Sequence, residues 1–141
     1  MIDVEALAED IRAARRVYLC GNGGSAANAM HIANDLIACG IRAHALTADV
    51  ATLTAIANDH GYENVFKRQL EVFGTHRDLL IALSGSGKSP NILAAVEYAE
   101  NIGMKVRRIY GAEMGHTMQE AEEYQIKLGH QLRAILYDDP R

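Results

Sequence analysis

Residues 17–36 read VYLCGNGGSAANAMHIANDL. An aliphatic run, Val17 to Cys20, passes through a turn of small residues, Gly21 to Ser25, into a stretch of good helix formers. That order is a buried strand feeding a helix through a glycine turn, the unit of a parallel α/β sheet. The same grammar recurs outward along the chain. Short apolar runs stand at Val17 to Cys20, Ala43 to Thr47, Leu79 to Leu83 and Val106 to Tyr110. Each is short and aliphatic, as strands covered on both faces tend to be. Helical periodicity fills residues 2–14, 24–38, 50–59, 63–74, 89–102 and 117–137. The pattern predicts an α/β fold, a three-layer αβα sandwich around an open, mainly parallel sheet of about four strands. No linker or repeat divides it, so residues 1–141 read as one domain.

Composition removes several classes of function. Lys+Arg 14 against Asp+Glu 18 leaves a net charge of −4, the wrong sign for a protein that grips nucleic acid directly. No apolar run approaches the roughly 20 residues that cross a bilayer, so no membrane partner is expected. The opening MIDVEALAED is acidic and amphipathic rather than basic then apolar, unlike a signal peptide. Two cysteines, Cys20 and Cys39, form neither a metal pair nor a disulfide framework. A cytoplasmic chain with reduced thiols is expected.

In open parallel sheets, ligands gather beyond the carboxyl ends of the strands. Two loops there stand out. Gly21-Asn22-Gly23-Gly24-Ser25 lets backbone N–H groups approach a ligand, and the helix start that follows favours an anion. It is not the dinucleotide pattern, because no acidic residue closes the second strand, although Asp49 lies nearby. Taken alone, such a loop is as readily a plain strand–helix turn. Residues 79–99, LLIALSGSGKSPNILAAVEYA, carry the second loop. Ser84, Ser86 and Ser89 flank Gly85 and Gly87, and Pro90 sits early in the next helix, where a missing N–H costs nothing. Three hydroxyls with free N–H groups make a neutral cradle for a phosphate monoester, to which Lys88 adds charge. The spacing excludes a P-loop. Ser89 alone would read as a simple helix cap.

His31 and Asp35, four apart on a helix, share one face. That pair suits Zn²⁺ ligation or acid/base work, and as readily a surface contact. Glu122, Glu123 and His130 lie on the last helix, where early acidic residues also suit the helix dipole. His44, His60, His76 and His116 show no partner pattern.

Four segments in this order, GNGGSAANAMHIANDL, LTAIANDHGYENVFKRQL, LLIALSGSGKSPNIL and MQEAEEYQIKLGH, resemble the SIS (sugar isomerase) domain family. Within it they look closest to the phosphoheptose isomerases, which interconvert sedoheptulose 7-phosphate and a heptose 7-phosphate. The resemblance runs from about Val17 to Leu136 and implies a flavodoxin-like sheet. It implies that Ser84, Ser86 and Ser89 hold the sugar phosphate. It also implies that Asn22, Gly23, Ser25, Asn58 and Asp59 contact the substrate. The family's metal and catalytic positions read His31, Asp35, Glu122 and His130 here, with Asp35 and His130 as the acid/base pair and Zn²⁺ as the metal. A homo-oligomer, tetramer or dimer, is implied as well.

The chain departs from the family in places. Asp35 is one methylene shorter than the family's Glu, a reach shorter by about 1.5 Å. Glu122 replaces a Gln and stands about 12 Å from residue 130 along a straight helix, awkward for two ligands of one ion. The last strand is expected to be missing, because GAEMGHTM leads directly into the final helix. An N-terminal extension reduced to one helix is expected. The function expected is an aldose–ketose isomerase of a phosphorylated sugar, working through an enediol or enediolate. The competing reading is a non-catalytic phosphosugar-binding module acting as a regulator or protein adaptor.

Overall fold

A computed structural model describes residues 2–137. Helix α1 (Val4–Ala13) leads to β1 (Val17–Cys20), α2 (Gly24–Ala38) and β2 (Ala43–Ala45). Then come α3 (Val50–His60), α4 (Lys67–Phe73), β3 (Leu79–Ser84), α5 (Pro90–Asn101), β4 (Lys105–Tyr110) and α6 (Met118–Tyr137). The four strands form one sheet in the order β2-β1-β3-β4, and every pair is parallel. The α/β sandwich expected from the apolar runs is therefore the observed architecture. No fifth strand follows β4 among the described residues: a single 3-10 turn, Ala112–Met114, leads to α6.

Strand periodicity divides the core in two. Val17 and Leu19 of β1, with Leu79, Ile81 and Leu83 of β3, face a cluster built with Leu7, Ile11, Ile32, Leu36, Leu128 and Leu132 from α1, α2 and α6. Tyr18 and Cys20, with Leu80 and Ala82, face the opposite cluster of Phe66, Leu70, Ile92, Ala95 and Ala99. Alternate side chains thus cover both faces of a sheet that must be dry on both sides.

Two elements differ from the sequence expectation. The second strand ends at Ala45, because Ala48 N–H turns back onto Ala45 C=O (3.1 Å) and Asp49 caps α3. Asp49 Oδ2 accepts from Thr52 Oγ1 at 2.8 Å, so the acid near the second strand is a helix cap rather than a ribose ligand. The helix expected over 63–74 is broken into a 3-10 turn, Tyr62–Asn64, and α4. The break buries Val65 and Phe66 completely. Gln69, also buried, donates to Leu46 C=O (2.8 Å) and Val65 C=O (2.9 Å), tying α4 to the end of β2.

Cys20 is buried in the core, and Cys39 Sγ donates to the Arg133 carbonyl (3.7 Å). Burial pushes the Cys20 thiol up to about 12, so it is inert at neutral pH. In the folded protein, a disulfide thiol reagent should titrate at most one thiol, Cys39, and two after unfolding. Rapid reaction of two thiols in the native state would contradict this core.

Asp10 of α1 joins Lys105 (3.1 Å) and Arg107 of β4. Partial burial by itself raises its pKa, but hydrogen bonds and charge from Arg107 and Lys105 outweigh that, and the net shift is downward. The ion pairs therefore contribute stability that is fully present above the unfolded Asp value of about 3.9 and is lost as pH falls through the lower folded value. Asp10→Asn should lower the urea midpoint at pH 6, and the gap from wild type should narrow below pH 4. Parallel stability curves across that range would contradict the assignment.

Candidate active site

Because β1 is flanked by β2 on one side and β3 on the other, the chain leaves β1 and β3 toward opposite faces of the sheet. α2 packs with the α1–α6 cluster and α5 with the other. This is a topological switch point, and the crevice it opens is the place where such sheets bind ligands. The two loops singled out by composition, Gly21–Ser25 and Ser84–Ser89, border it. Asn22 and Asn91 span it with two reciprocal amide hydrogen bonds of 2.8 Å. Tyr62 O–H donates to Asn22 Oδ1 at 2.9 Å, and a cleft of about 310 Å³ is lined by Asn22, Tyr62, Ser89 and Asn91.

The serine loop is held by its own hydroxyls. Ser84 Oγ accepts from Gly87 N–H (2.9 Å), and Ser86 Oγ accepts from Lys88 N–H (3.1 Å). Gly87 has φ +70°, and a Cβ there would press to 2.9 Å on the Tyr110 ring, so the turn demands glycine. Ser89 sits at the N-cap of α5, yet its side chain makes no cap hydrogen bond. The first-turn N–H groups of α5 thus remain available to an anion, with the Ser89 hydroxyl beside them.

The glycine loop is braced from α6. Ser25 is buried, and its Oγ accepts from Gln125 Nε2 (3.1 Å), whose Oε1 accepts from Asn28 Nδ2 (2.8 Å). Gly23, the N-cap of α2, has φ +56° and open space around it, so its backbone faces the crevice unhindered.

Farther along α2, two helices bring together three of the expected residues. His31 Nε2 lies 3.3 Å from His130 Nε2 and 3.5 Å from Asp35 Oδ2. One donor atom from each of His31, Asp35 and His130 falls within 4.8 Å of the others. The close approach depends on Gly129, where a Cβ would stand 2.8 Å from Ile32 and 3.2 Å from Asp35 Oδ2. Asp35 is buried; its Oδ1 is 3.4 Å from the Arg133 guanidinium, while Oδ2 has no hydrogen-bond partner. A buried carboxylate oxygen without a donor is costly unless something cationic or acidic meets it. Two imidazole nitrogens and that oxygen match the donor set of a divalent transition metal, so the residues fit one.

Glu122 is not part of this group. Two turns before His130 on α6, its carboxylate lies against Gly24 at the start of α2, where it offsets the positive end of that helix. The metal position expected there is thereby corrected: the helix rise separates the two side chains. Asn58 and Asp59 hydrogen-bond to each other (3.0 Å), and Asp59 lines a separate groove with Arg68 and Val72. From the same segment the structure brings Tyr62, rather than Asn58 or Asp59, to Asn22.

Three residues escaped the sequence reading. Gln125 interrupts the apolar stripe Ala121, Leu128, Leu132, and a polar residue on a buried face was the available signal. Asn91 follows Pro90 inside a motif already singled out. Arg133, three residues past His130, carried no signal because its partner Asp35 is 98 residues away.

Comparison with known proteins fits this geometry. The family described as SIS domain matches residues 3–111. A phosphoheptose isomerase of Helicobacter pylori (strain P12) is 43% identical over 118 residues, 79% of this chain and 62% of that relative. One from Akkermansia muciniphila is 41% identical over 130 residues, 85% of this chain and 69% of the relative. The solved phosphoheptose isomerase from Neisseria gonorrhoeae superposes with a TM-score of 0.87 at 30% identity, covering 94% of this chain and 84% of the other. The chain spans about three-fifths of the length of the first curated relatives it matches.

Proposed function

The chain belongs to the SIS domain family, and from that membership we propose that it is an aldose–ketose isomerase acting on sedoheptulose 7-phosphate to give a heptose 7-phosphate. The observation that carries this reading is the convergence of His31, Asp35 and His130 on the helix pair that starts at the glycine loop. A binding module needs the phosphate cradle alone. It has no use for two imidazoles and a buried carboxylate held within 4.8 Å, so the regulator reading is not favoured.

The reaction moves a proton between adjacent carbons through an enediol or enediolate. It needs a base at carbon, an acid at oxygen and a remote hold on the phosphate. Ser84, Ser86, Ser89 and the α5 N-terminus hold the phosphate, and Asn22, Gly23 and Ser25 contact the sugar. His31 lies seven residues beyond Gly24, about 10 Å along α2, so binding at the loop positions carbons that react elsewhere. Asp35 serves as carbon base and His130 as its acid partner. His31, Asp35 and His130 would hold a metal such as Zn²⁺, which when bound polarises a carbonyl. Arg133 lies against Asp35, its guanidinium 3.4 Å from Oδ1.

Met30 and Ile37 of α2 and Tyr137 of α6 are exposed, and Tyr137 lines a groove with His130 and Arg133. Such exposed apolar side chains suit burial against a second copy, so the working form is a homo-oligomer, dimer or tetramer. No described helix is long and apolar enough to cross a membrane, and a cytoplasmic setting suits the buried Cys20 thiol. An isomerase assay on sedoheptulose 7-phosphate, with metal analysis of the purified protein, tests the proposal. Turnover supports it; phosphosugar binding without turnover, with or without metal, overturns it in favour of the module.

A further inference from the structure

The sheet end opposite the crevice carries a second concave surface that the proposed reaction does not use. Each parallel strand starts beside a cation: Arg42 precedes β2, Arg15 and Arg16 precede β1, Arg77 precedes β3, and Lys105 opens β4. These positions are scattered in sequence, but the order β2-β1-β3-β4 sets them in one row. Neighbouring strands stand about 4.8 Å apart, so Arg42 to Arg77 spans about 10 Å of backbone. Main-chain hydrogen bonds fix the row. Val17 N–H donates to Arg42 C=O, and Arg15 N–H to Arg77 C=O, both at 2.9 Å. A cleft of about 810 Å³ runs along it, with Ile11, Ala14 and Ile41 as an apolar wall.

The charges of the row are unevenly satisfied. Lys105 is paired with Asp10, which also holds Arg107. Arg16 is engaged with the Tyr18 hydroxyl. Arg15 stands 3.9 Å from the buried Asp78, whose other oxygen accepts from Thr75. Asp10 and Asp78 are the two carboxylates of the cleft: Asp10 is engaged by Lys105 and Arg107, whereas Asp78 Oδ1 has no hydrogen-bond partner and faces Arg15. Arg42 and Arg77 are exposed and have no ion-pair partner among the described residues. On a chain of net charge −4, two free guanidinium groups flanking a third in one cleft form a local cationic site. A guanidinium offers paired donors to phosphate oxygens, and a row of this length exceeds a single phosphate.

We propose that this cleft binds a small phosphoanhydride, a diphosphate or nucleoside diphosphate, with its phosphate chain lying along Arg42, Arg15 and Arg77. The site is independent of the isomerase reading. It lies at the start of β3, whose six residues separate it by about 17 Å from Ser84 and the serine loop.

Titration calorimetry of the full chain with inorganic pyrophosphate, ADP and orthophosphate tests this. Pyrophosphate and ADP should bind one per chain, at least tenfold tighter than orthophosphate. Charge-assisted hydrogen bonds make each arginine worth about tenfold, so Arg42→Ala with Arg77→Ala should weaken both about a hundredfold. His130→Ala, in the other site, should bind them as wild type does. ADP binding tighter than pyrophosphate would place the nucleoside on the apolar wall, and equal affinity would place recognition in the phosphate chain; both support the site. Undiminished binding by the double variant, orthophosphate as tight as pyrophosphate, or no binding of either probe at millimolar concentration would overturn it. If the double variant unfolds earlier than wild type, Arg42→Ala alone, with its tenfold loss, decides.

Discussion

Replacing His130 with alanine is expected to lower turnover of sedoheptulose 7-phosphate by about 10³-fold, within the range that removal of a positioned acid/base group produces. His130 is exposed, and its Nε2 lies 3.3 Å from His31 Nε2. Its loss therefore leaves no cavity in the core, and the thermal midpoint should stay close to wild type. The proposed phosphate cradle is built by other elements, Ser84, Ser86 and the start of α5, so affinity for substrate phosphate should change little. A fall in kcat with KM nearly constant is the signature, because the imidazole acts on the reacting atoms and not on the anchor. The same substitution should also lower metal content, since it removes one of the three converging donors. Unchanged turnover in this variant would remove His130 from the chemistry.

Gly129→Val is expected to cost about 2 kcal/mol of stability, from forcing side-chain volume into a packed contact. For a chain of this size that corresponds to a thermal midpoint lower by about 7 °C. The physical reason is the crossing of α2 and α6. With no side chain at position 129, Ile32 and Asp35 approach the α6 backbone directly, and a Cβ would already meet Ile32 at 2.8 Å. Valine must push the helices apart, and that displacement acts on the 3.3 Å separation of His31 and His130. Turnover should thus fall further than stability alone requires, measurably so at temperatures where the variant is fully folded. Gly129→Ala should do less, because better helix propensity offsets part of the crowding. A valine variant with wild-type melting and kcat would show that the two helices are not in tight contact there.

The elements were largely legible because each carries a local signal. The aliphatic runs around Val17 and Leu79 are strands buried on both faces, the run around Val106 is an edge strand buried at Ile109 and Tyr110, and the glycine and serine turns stop them before the helices begin. The expectation failed at residues 63–74, where a continuous periodicity is broken. Val65 and Phe66 enter the core through a 3-10 turn, and Gln69 reaches the Leu46 carbonyl beside β2. That outcome depends on Leu46, distant in sequence. Glu122 failed for a similar reason. A motif match put it with the histidines, but helix geometry sends it toward Gly24.

By itself, the sequence determined the α/β architecture, the two ligand-side loops, and the residue types that make His31, Asp35 and His130 a chemical group. These are properties of short segments, set by alternation of apolar residues and by which turns glycine and serine permit. Only the tertiary structure decided which of those residues meet. The crossing of α2 over α6 at Gly129 sets the His31–His130 distance and strips Asp35 Oδ2 of a partner. The switch from β1 to β3 joins Asn22 to Asn91, and strand order alone aligns Arg42, Arg15 and Arg77. Contacts between residues about a hundred positions apart leave no local pattern, because they are selected by packing of whole elements and not by the propensity of any one.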